Sequence, residues 1–82
     1  EIEIARFYQF NSQWIAAINR YNGILEQYST SIYTEESLFR LVEIYFSLGL
    51  YEEAKRYAST LGHNFPSSDW YKKSYEIVKD LT

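Results

Sequence analysis

Residues 48–54 read LGLYEEA, and this short stretch separates two segments with helical hydrophobic spacing. Before it, apolar side chains recur every three or four residues, at Leu38, Leu41, Val42, Tyr45 and Leu48. After it, small and apolar side chains share one face, at Ala54, Tyr57, Ala58 and Leu61. Glycine adopts a positive φ without steric cost, so Gly49 suits the end of a helix. The stretch therefore predicts a hairpin of two α-helices.

Similar patterns on both sides of this hairpin extend the prediction to five helices. Ser31 and Ser68 are predicted N-caps, because a serine hydroxyl accepts hydrogen bonds from the free N–H groups of a first turn. Glu35, Glu36, Glu52 and Glu53 place negative charge in first turns, where it complements the helix dipole. The predicted helices lie near residues 1–10, 13–28, 31–49, 51–64 and 68–81.

The chain also repeats itself at a shift of 37 residues. The matched positions include Ile4/Leu41/Val78, Tyr8/Tyr45, Trp14/Tyr51, Ala17/Ala54, Ile24/Leu61, Tyr28/Phe65 and Ser29/Pro66. Self-similarity with such a period is typical of stacked-repeat proteins. Ala17 and Ala54 are predicted at helix crossings, where a short side chain lets two backbones approach. We expect one domain, with repeats at 1–30 and 31–66 and a terminal helix at 67–82.

The composition excludes several classes of protein. The chain has no cysteine, so it can form neither a disulfide nor a thiolate zinc site. Its formal net charge of −3 disfavours nucleic-acid binding. No apolar run reaches the ~18 residues that a membrane helix needs. Because the chain begins at Glu1 and shows no signal-like segment, we expect it to be a fragment of a longer protein.

Catalysis is not indicated either. His63 is the only histidine, and a metal or nucleophilic site would need companions that this sequence lacks. The acidic pairs at helix starts do not indicate a dry pocket of the kind that a carboxylate catalyst needs. We therefore expect no enzyme activity, no metal and no cofactor. His63 is instead predicted to cap the carbonyls at a helix end.

The second unit resembles a tetratricopeptide repeat. The residues that carry this resemblance are Leu38, Leu41, Tyr45, Gly49, Tyr51, Ala54 and Pro66. The loop between the repeats is longer than the usual ~34-residue unit requires. The fold class that follows is all-α, a short right-handed tetratricopeptide superhelix of two helix-turn-helix repeats plus one further helix.

Three stretches further resemble the BamD (ComL) family, the tetratricopeptide lipoproteins of the outer-membrane β-barrel assembly machinery. They are EIARFY at residues 3–8, WIAAINR at residues 14–20 and LGHNFPSSDWY at residues 61–71. The resemblance covers essentially the whole chain and is to the C-terminal repeats of the family. One departure is the first inter-helix turn, where the family usually has glycine. This chain has Asn11-Ser12-Gln13 there, and we expect Asn11 to tolerate a positive φ.

The resemblance implies a non-enzymatic scaffold in outer-membrane protein assembly. Family members are anchored by an N-terminal lipid at the periplasmic face of the outer membrane, and that anchor is absent from this fragment. Their C-terminal repeats dock the POTRA domains of the barrel-forming subunit and contact accessory lipoproteins. The alternative is a generic tetratricopeptide peptide-binding or co-chaperone module. A carboxylate-clamp groove would need Lys and Asn at groove-lining positions, which here are Glu36, Phe39, Glu43 and Phe46.

Two groups of residues are candidate partner contacts. Arg20 lies in the Asn19-Arg20 pair that matches the family, and we hypothesise that it pairs with a POTRA carboxylate, since arginine suits bidentate pairing. Glu3 and Arg6 are three residues apart and could pair with each other. We expect them to link two helices of the chain rather than to contact a partner.

The terminal helix carries the second group. Trp70, Tyr71 and Tyr75 are predicted to form an uncovered apolar edge, because no further helix follows to pack on it. Another subunit or a second copy of the fragment would cover this edge, which makes self-association possible. The nearby Lys72, Lys73 and Lys79 are predicted to form a solvated face, since three charges attract lipid or nucleic acid only weakly.

Overall fold

The structure is a computed structural model that describes residues 1–27 and 30–81. Every regular element within those residues is an α-helix, which confirms the all-α prediction and the number of helices. The elements are α1 (Ile2–Phe10), α2 (Trp14–Gln27), α3 (Thr34–Ser47), α4 (Tyr51–Asn64) and α5 (Asp69–Val78). The predicted end of the second helix at Tyr28, and the matched pairs Tyr28/Phe65 and Ser29/Pro66, involve residues outside this description.

The turn between α3 and α4 is built as the sequence predicts. Gly49 has a φ of +78°, a conformation that costs glycine nothing. Its N–H donates to the carbonyl of Phe46 at 3.0 Å, and the N–H of Leu50 donates to the carbonyl of Tyr45 at 2.9 Å. The prediction was wrong for Leu48, which is exposed rather than part of the inner face. Leu48 is the C-cap residue of α3, where the helix ends.

The turn between α1 and α2 corrects another prediction. Ser12, not Asn11, takes the positive φ of +61°, whereas Asn11 has a φ of −103°. The Asn11 side chain instead donates from Nδ2 to the carbonyl of Phe7 at 2.7 Å, and the Asn11 N–H donates to the same carbonyl at 3.1 Å. A turn without glycine is therefore stabilised by a side-chain cap.

The two predicted serine caps have different outcomes. Ser68 is confirmed as the N-cap of α5, because its Oγ accepts hydrogen bonds from the N–H groups of Trp70 and Tyr71 at 3.0 and 3.2 Å. Ser31 is not the N-cap of α3, which begins at Thr34 after Tyr33. The Ser31 hydroxyl accepts from the Tyr33 N–H at 3.1 Å. It therefore holds a turn that precedes the helix.

The five helices pack as stacked hairpins. α1 packs on α2 and α3 packs on α4, while α2 packs on α3 and so joins the two hairpins. α5 lies against both α3 and α4. Ala17 and Ala54 are fully buried, as expected of residues where helices approach closely. Tyr45 and Tyr57 stack nearly parallel across the second hairpin, with ring centroids 5.5 Å apart.

Candidate protein-interaction surface

Arg20 lies on the exposed side of α2, against α1. Its Cζ atom is 5.8 Å from the centroid of the Tyr8 ring, within the range of a cation–π interaction. Arg20 is one of four arginines in the chain, and the other three each pair with a glutamate. Among the described residues, no carboxylate lies within ion-pair distance of Arg20. Its guanidinium donors are therefore free to bind a partner.

Apolar side chains of α1 lie beside Arg20. The Tyr8 ring packs against the main core, and the Phe7 ring meets it edge-on at 5.9 Å and 67°. Phe7 is 59% exposed and Ile4, one turn earlier, is 43% exposed. Ile4 shares a helix face with both Phe7 and Tyr8 because residues three and four apart are neighbours on a helix. We call Ile4, Phe7, Tyr8 and Arg20 the Arg20 surface.

Arg6 points away from this surface and ties α1 to α3. Its Nε donates to Oε2 of Glu36 at 2.9 Å and its Nη2 donates to Oε1 at 2.6 Å. The expected Glu3–Arg6 pair is wrong, because the Glu36 carboxylate takes both donors of the guanidinium fork. Glu3 is exposed. Arg6 thus has the helix-to-helix role that the sequence suggested, with a different partner.

Glu36 is the centre of a buried polar network. It is only 4% exposed, and Arg40 donates to it from Nε at 3.0 Å in addition to Arg6. Burial alone would raise the pKa of the Glu36 carboxyl, but the hydrogen bonds and charges of the two arginines outweigh burial and leave the pKa below its usual 4.5. Glu36 is therefore an internal ion-pair partner rather than a simple dipole-complementing residue.

The same network continues to the first hairpin. Arg40 also donates to Glu43 at 3.0 Å, and Gln9 donates to the same glutamate oxygen at 2.9 Å. Gln9 in turn accepts a 2.8 Å hydrogen bond from the buried hydroxyl of Tyr21. Burial raises the pKa of Tyr21 to about 12. The network fixes α1, α2 and α3 relative to one another.

This network and α5 cover part of the predicted groove on α3. Glu36 and Phe39 are buried, so the expectation that they line an open groove is wrong. The Phe39 ring packs on Trp70 of α5 with centroids 5.4 Å apart. The Arg40 guanidinium also lies 5.6 Å from the Trp70 ring centroid. Trp70 therefore faces α3, which corrects the prediction that it lies on an uncovered outer edge.

Tyr71 and Tyr75 line a groove between α4 and α5. The groove has a volume of about 480 Å³, and its other lining residues include Ala58, Gly62 and His63. Tyr71 is half-buried and lies directly over Gly62, where any Cβ atom would be 2.4 Å from its Cε1. Tyr75 is 51% exposed. Of the three residues predicted to form an uncovered edge, only Tyr75 and the exposed part of Tyr71 therefore remain uncovered.

His63 lies in the last turn of α4, as the sequence indicates. The predicted capping of carbonyls is not seen, because its side chain makes no hydrogen bond to any residue within 1–27 or 30–81. The carbonyl of Leu61 accepts the Phe65 N–H at 2.8 Å instead. Backbone hydrogen bonding therefore closes this helix end and leaves the imidazole exposed.

Comparisons with known proteins identify the family. The YfiO family profile, described as "Outer membrane lipoprotein", matches residues 1–61, which carry α1 to α3, the Arg20 surface and most of α4. The chain belongs to the YfiO family. No solved structure matches it. Within the described residues, no helix of this family member is long and apolar enough to cross a membrane.

Curated relatives of this YfiO family member carry one name, "Outer membrane protein assembly factor BamD". The protein of Rickettsia prowazekii is 46% identical over 98% of this chain, and the match covers 32% of that relative. The protein of Caulobacter vibrioides is 46% identical over 98% of this chain and 26% of its own length. The serogroup A Neisseria meningitidis protein is 34% identical over 93% of this chain. The chain thus spans about a third or less of these relatives.

Sequence reasoning missed two features of this YfiO chain. Tyr8 and Arg20 lie on different helices, and nothing in the spacing of either helix predicts that they stack. Glu36 and Arg6 are separated by 30 residues. The repeat register gave one usable hint, since Tyr8 matches Tyr45, whose ring also packs on the second helix of its hairpin. A cross-helix contact of Tyr8 could have been expected on that basis.

Proposed function

We propose that this chain is a docking part of an outer-membrane β-barrel assembly factor and has no catalytic role. In this proposal it is a single tetratricopeptide domain, with repeats at 1–30 and 31–66 and a terminal helix at 67–82. The full-length protein would be lipid-anchored at the periplasmic face of the outer membrane. Membership of an outer membrane lipoprotein family supports the location. The name shared by the curated relatives supports the process.

The observation that carries the docking role is that the Arg20 guanidinium meets no carboxylate within residues 1–27 and 30–81. An arginine held at a surface with all its donors unused can form a bidentate pair with a carboxylate. We propose that a carboxylate of a POTRA domain in the barrel-forming subunit is that partner. Arg6 and Glu3 are less suited to this role, because the Arg6 donors are engaged by Glu36 and Glu3 offers no cation.

The α5 edge has a second place in the proposal. Tyr75 and the exposed rim of Tyr71 border the groove between α4 and α5, where an accessory lipoprotein or a second copy of the chain could pack. Trp70 does not belong to this contact, because it is packed on Phe39.

A charge reversal at Arg20 tests the proposal. We expect Arg20→Glu to weaken binding to purified POTRA domains at least about tenfold, which corresponds to ~1.4 kcal/mol, since it puts a negative charge opposite the carboxylate. The matched control is Arg56→Glu, because Arg56 is also exposed but pairs with Glu53 on α4. Isothermal titration calorimetry measures both, and circular dichroism confirms that each variant is folded. Unchanged affinity of Arg20→Glu would contradict the proposal.

A further inference from the structure

We propose that Tyr8 is a positioning residue for Arg20, and that the Arg20 surface receives a partner carboxylate flanked by an apolar side chain. This inference rests on the proposed docking function and specifies the chemistry of the partner at that site. Three features carry it: the stacking of Arg20 on Tyr8, the absence of an intramolecular carboxylate at Arg20 among the described residues, and the exposed apolar residues beside it.

The stacking restrains a side chain that would otherwise be mobile. An arginine at a helix surface has many rotamers, and binding must restrict them at a cost in free energy. The ring of Tyr8 lies 5.8 Å from the Arg20 Cζ atom and attracts the cation through its face. Tyr8 is itself anchored, because it packs on the core and contacts the Phe7 ring edge. A fixed ring therefore holds the guanidinium in place before a partner arrives.

Comparison with the other arginines shows why Arg20 is suited to an outside partner. Arg6 and Arg40 both bind the buried Glu36. Arg56 resembles Arg20 in that it lies 5.7 Å from a tyrosine ring, that of Tyr57. However, Arg56 also pairs with Glu53 within its own helix. Arg20 combines aromatic support with a positive charge that no carboxylate in the described part of the chain neutralises, so charge complementarity specifies an acidic partner group.

The apolar residues define what should surround that acidic group. Phe7 and Ile4 expose much of their side chains next to the Tyr8–Arg20 pair. Apolar contacts around an ion pair exclude water and strengthen the pair, because the local dielectric falls. A partner with an Asp or Glu beside an exposed aliphatic or aromatic residue would match this arrangement. A partner with clustered acidic residues and no apolar neighbour would leave Phe7 and Ile4 uncovered.

A double-mutant cycle between Tyr8 and Arg20 tests the positioning role, with the full chain and purified POTRA domains in calorimetry. We expect Tyr8→Phe to bind within twofold of wild type, because the ring face is kept. Tyr8→Leu should bind about two- to fivefold more weakly, the range expected for one exposed cation–π contact. In an Arg20→Ala background, Tyr8→Leu should have no further effect, since the cation it positions is gone.

Phe7→Gln adds a readout of the apolar contact, because Phe7 is exposed and Tyr8 is still held by its packing on the core. We expect it to weaken binding about two- to fivefold, and to make the remaining affinity more sensitive to salt, with no loss of thermal stability. Tyr51→Leu is the matched control for Tyr8→Leu, since Tyr51 is an exposed tyrosine at the start of α4. It should leave binding unchanged.

The possible results separate the two proposals. If Tyr8→Leu binds as tightly as wild type while Arg20→Glu does not, the positioning role is overturned and the docking function stands. If Tyr8→Leu weakens binding equally with and without Arg20, Tyr8 acts independently of Arg20 and the positioning role is again overturned. If Phe7→Gln binds normally with an unchanged salt dependence, the apolar part of the inference is overturned. If the wild-type chain does not bind POTRA domains, the docking function fails and this inference fails with it.

Discussion

Replacing Gly62 with alanine should destabilise this protein, although glycine-to-alanine changes inside helices normally stabilise. Gly62 lies within α4, two positions before its C-terminal end at Asn64. In a helix interior alanine is favoured over glycine by about 0.8–1 kcal/mol. At Gly62 a Cβ atom would lie 2.4 Å from Cε1 and 2.7 Å from Cζ of Tyr71. Ordinary carbon–carbon contacts are about 3.5–4.0 Å, so the Tyr71 ring would have to move by roughly 1 Å or more.

The size of the effect follows from where that ring is packed. Tyr71 lies against the cluster formed by Leu38, Phe39 and Leu61, so its displacement disturbs the contact between α5 and the second hairpin. Overpacking of this kind costs about 1–3 kcal/mol. After the gain in helix propensity, the free energy of unfolding should fall by about 0–2 kcal/mol.

Gly23 provides the matched control for this change. It is also inside a helix, α2, and a Cβ atom there would meet nothing within 4 Å. Gly23→Ala should therefore raise the free energy of unfolding by up to about 1 kcal/mol. The two variants should differ by about 1–3 kcal/mol, or roughly 4–24 °C in melting temperature for a domain of this size.

Thermal and urea denaturation followed by circular dichroism measures this difference. The same Gly62→Ala change in a Tyr71→Ala background should become stabilising, because the atoms it collides with are gone. If Gly62→Ala stabilises the wild-type background as much as Gly23→Ala does, the Tyr71 ring does not rest on the bare backbone of α4, and the reasoning is wrong.

Two further predictions concern the buried polar network. Glu36→Ala should lower the free energy of unfolding by about 2–4 kcal/mol, because it leaves the Arg6 and Arg40 guanidiniums without their shared buried carboxylate. Urea denaturation measures this loss. The control is Glu35→Ala, a change at the neighbouring residue of the same first turn, which should leave the free energy of unfolding nearly unchanged. The pKa of Glu36 lies below 4.5 in the folded state. The contribution of Glu36 to stability is therefore complete above pH 4.5 and disappears as the pH falls through the folded pKa. The acid-induced loss of stability should accordingly be smaller in Glu36→Ala than in wild type. Tyr21→Phe should cost about 1–2 kcal/mol at neutral pH through the lost hydrogen bond to Gln9. Burial raises the Tyr21 pKa from 10.0 to about 12, so this tyrosine ionises at lower pH in the unfolded chain than in the folded one. The stability of the wild-type protein should therefore fall by up to about 2–3 kcal/mol as the pH rises from 10 to about 12. An equal loss of stability in Tyr21→Phe over this pH range would show that another group is responsible.

The helices and turns could be predicted from sequence because their causes are local. A 3.6-residue hydrophobic period, a glycine at position 49 and a serine hydroxyl at position 68 act within one or two helical turns. The predictions failed where two local options compete. At the first turn, Ser12 takes the left-handed conformation while Asn11 uses its side chain to cap α1. At the start of α3, Ser31 stabilises a preceding turn instead of capping the helix.

The interaction surface could be predicted only in part. Only the resemblance to a family pattern distinguishes Arg20 in the sequence, and the structure places it exposed on α2. The inward position of Trp70 could not be read from the chain. The sequence of α5 shows which of its faces is apolar. Which helix packs on that face depends on how α5 crosses α3 and α4.

Hydrophobic periodicity and the 37-residue repeat were enough to specify an all-helical stack of hairpins, because every helix in it must bury the same kind of stripe against its neighbour. Packing between helices decided which charged side chains form ion pairs within the chain. Arg6 lies opposite Glu36 and donates to it, while Arg20 lies over a tyrosine ring and pairs with no carboxylate of the residues that the structure describes. These two arginines look alike in the sequence. They differ because the azimuth and crossing of each helix, set by all of its contacts at once, determine what lies within 3 Å of a side chain.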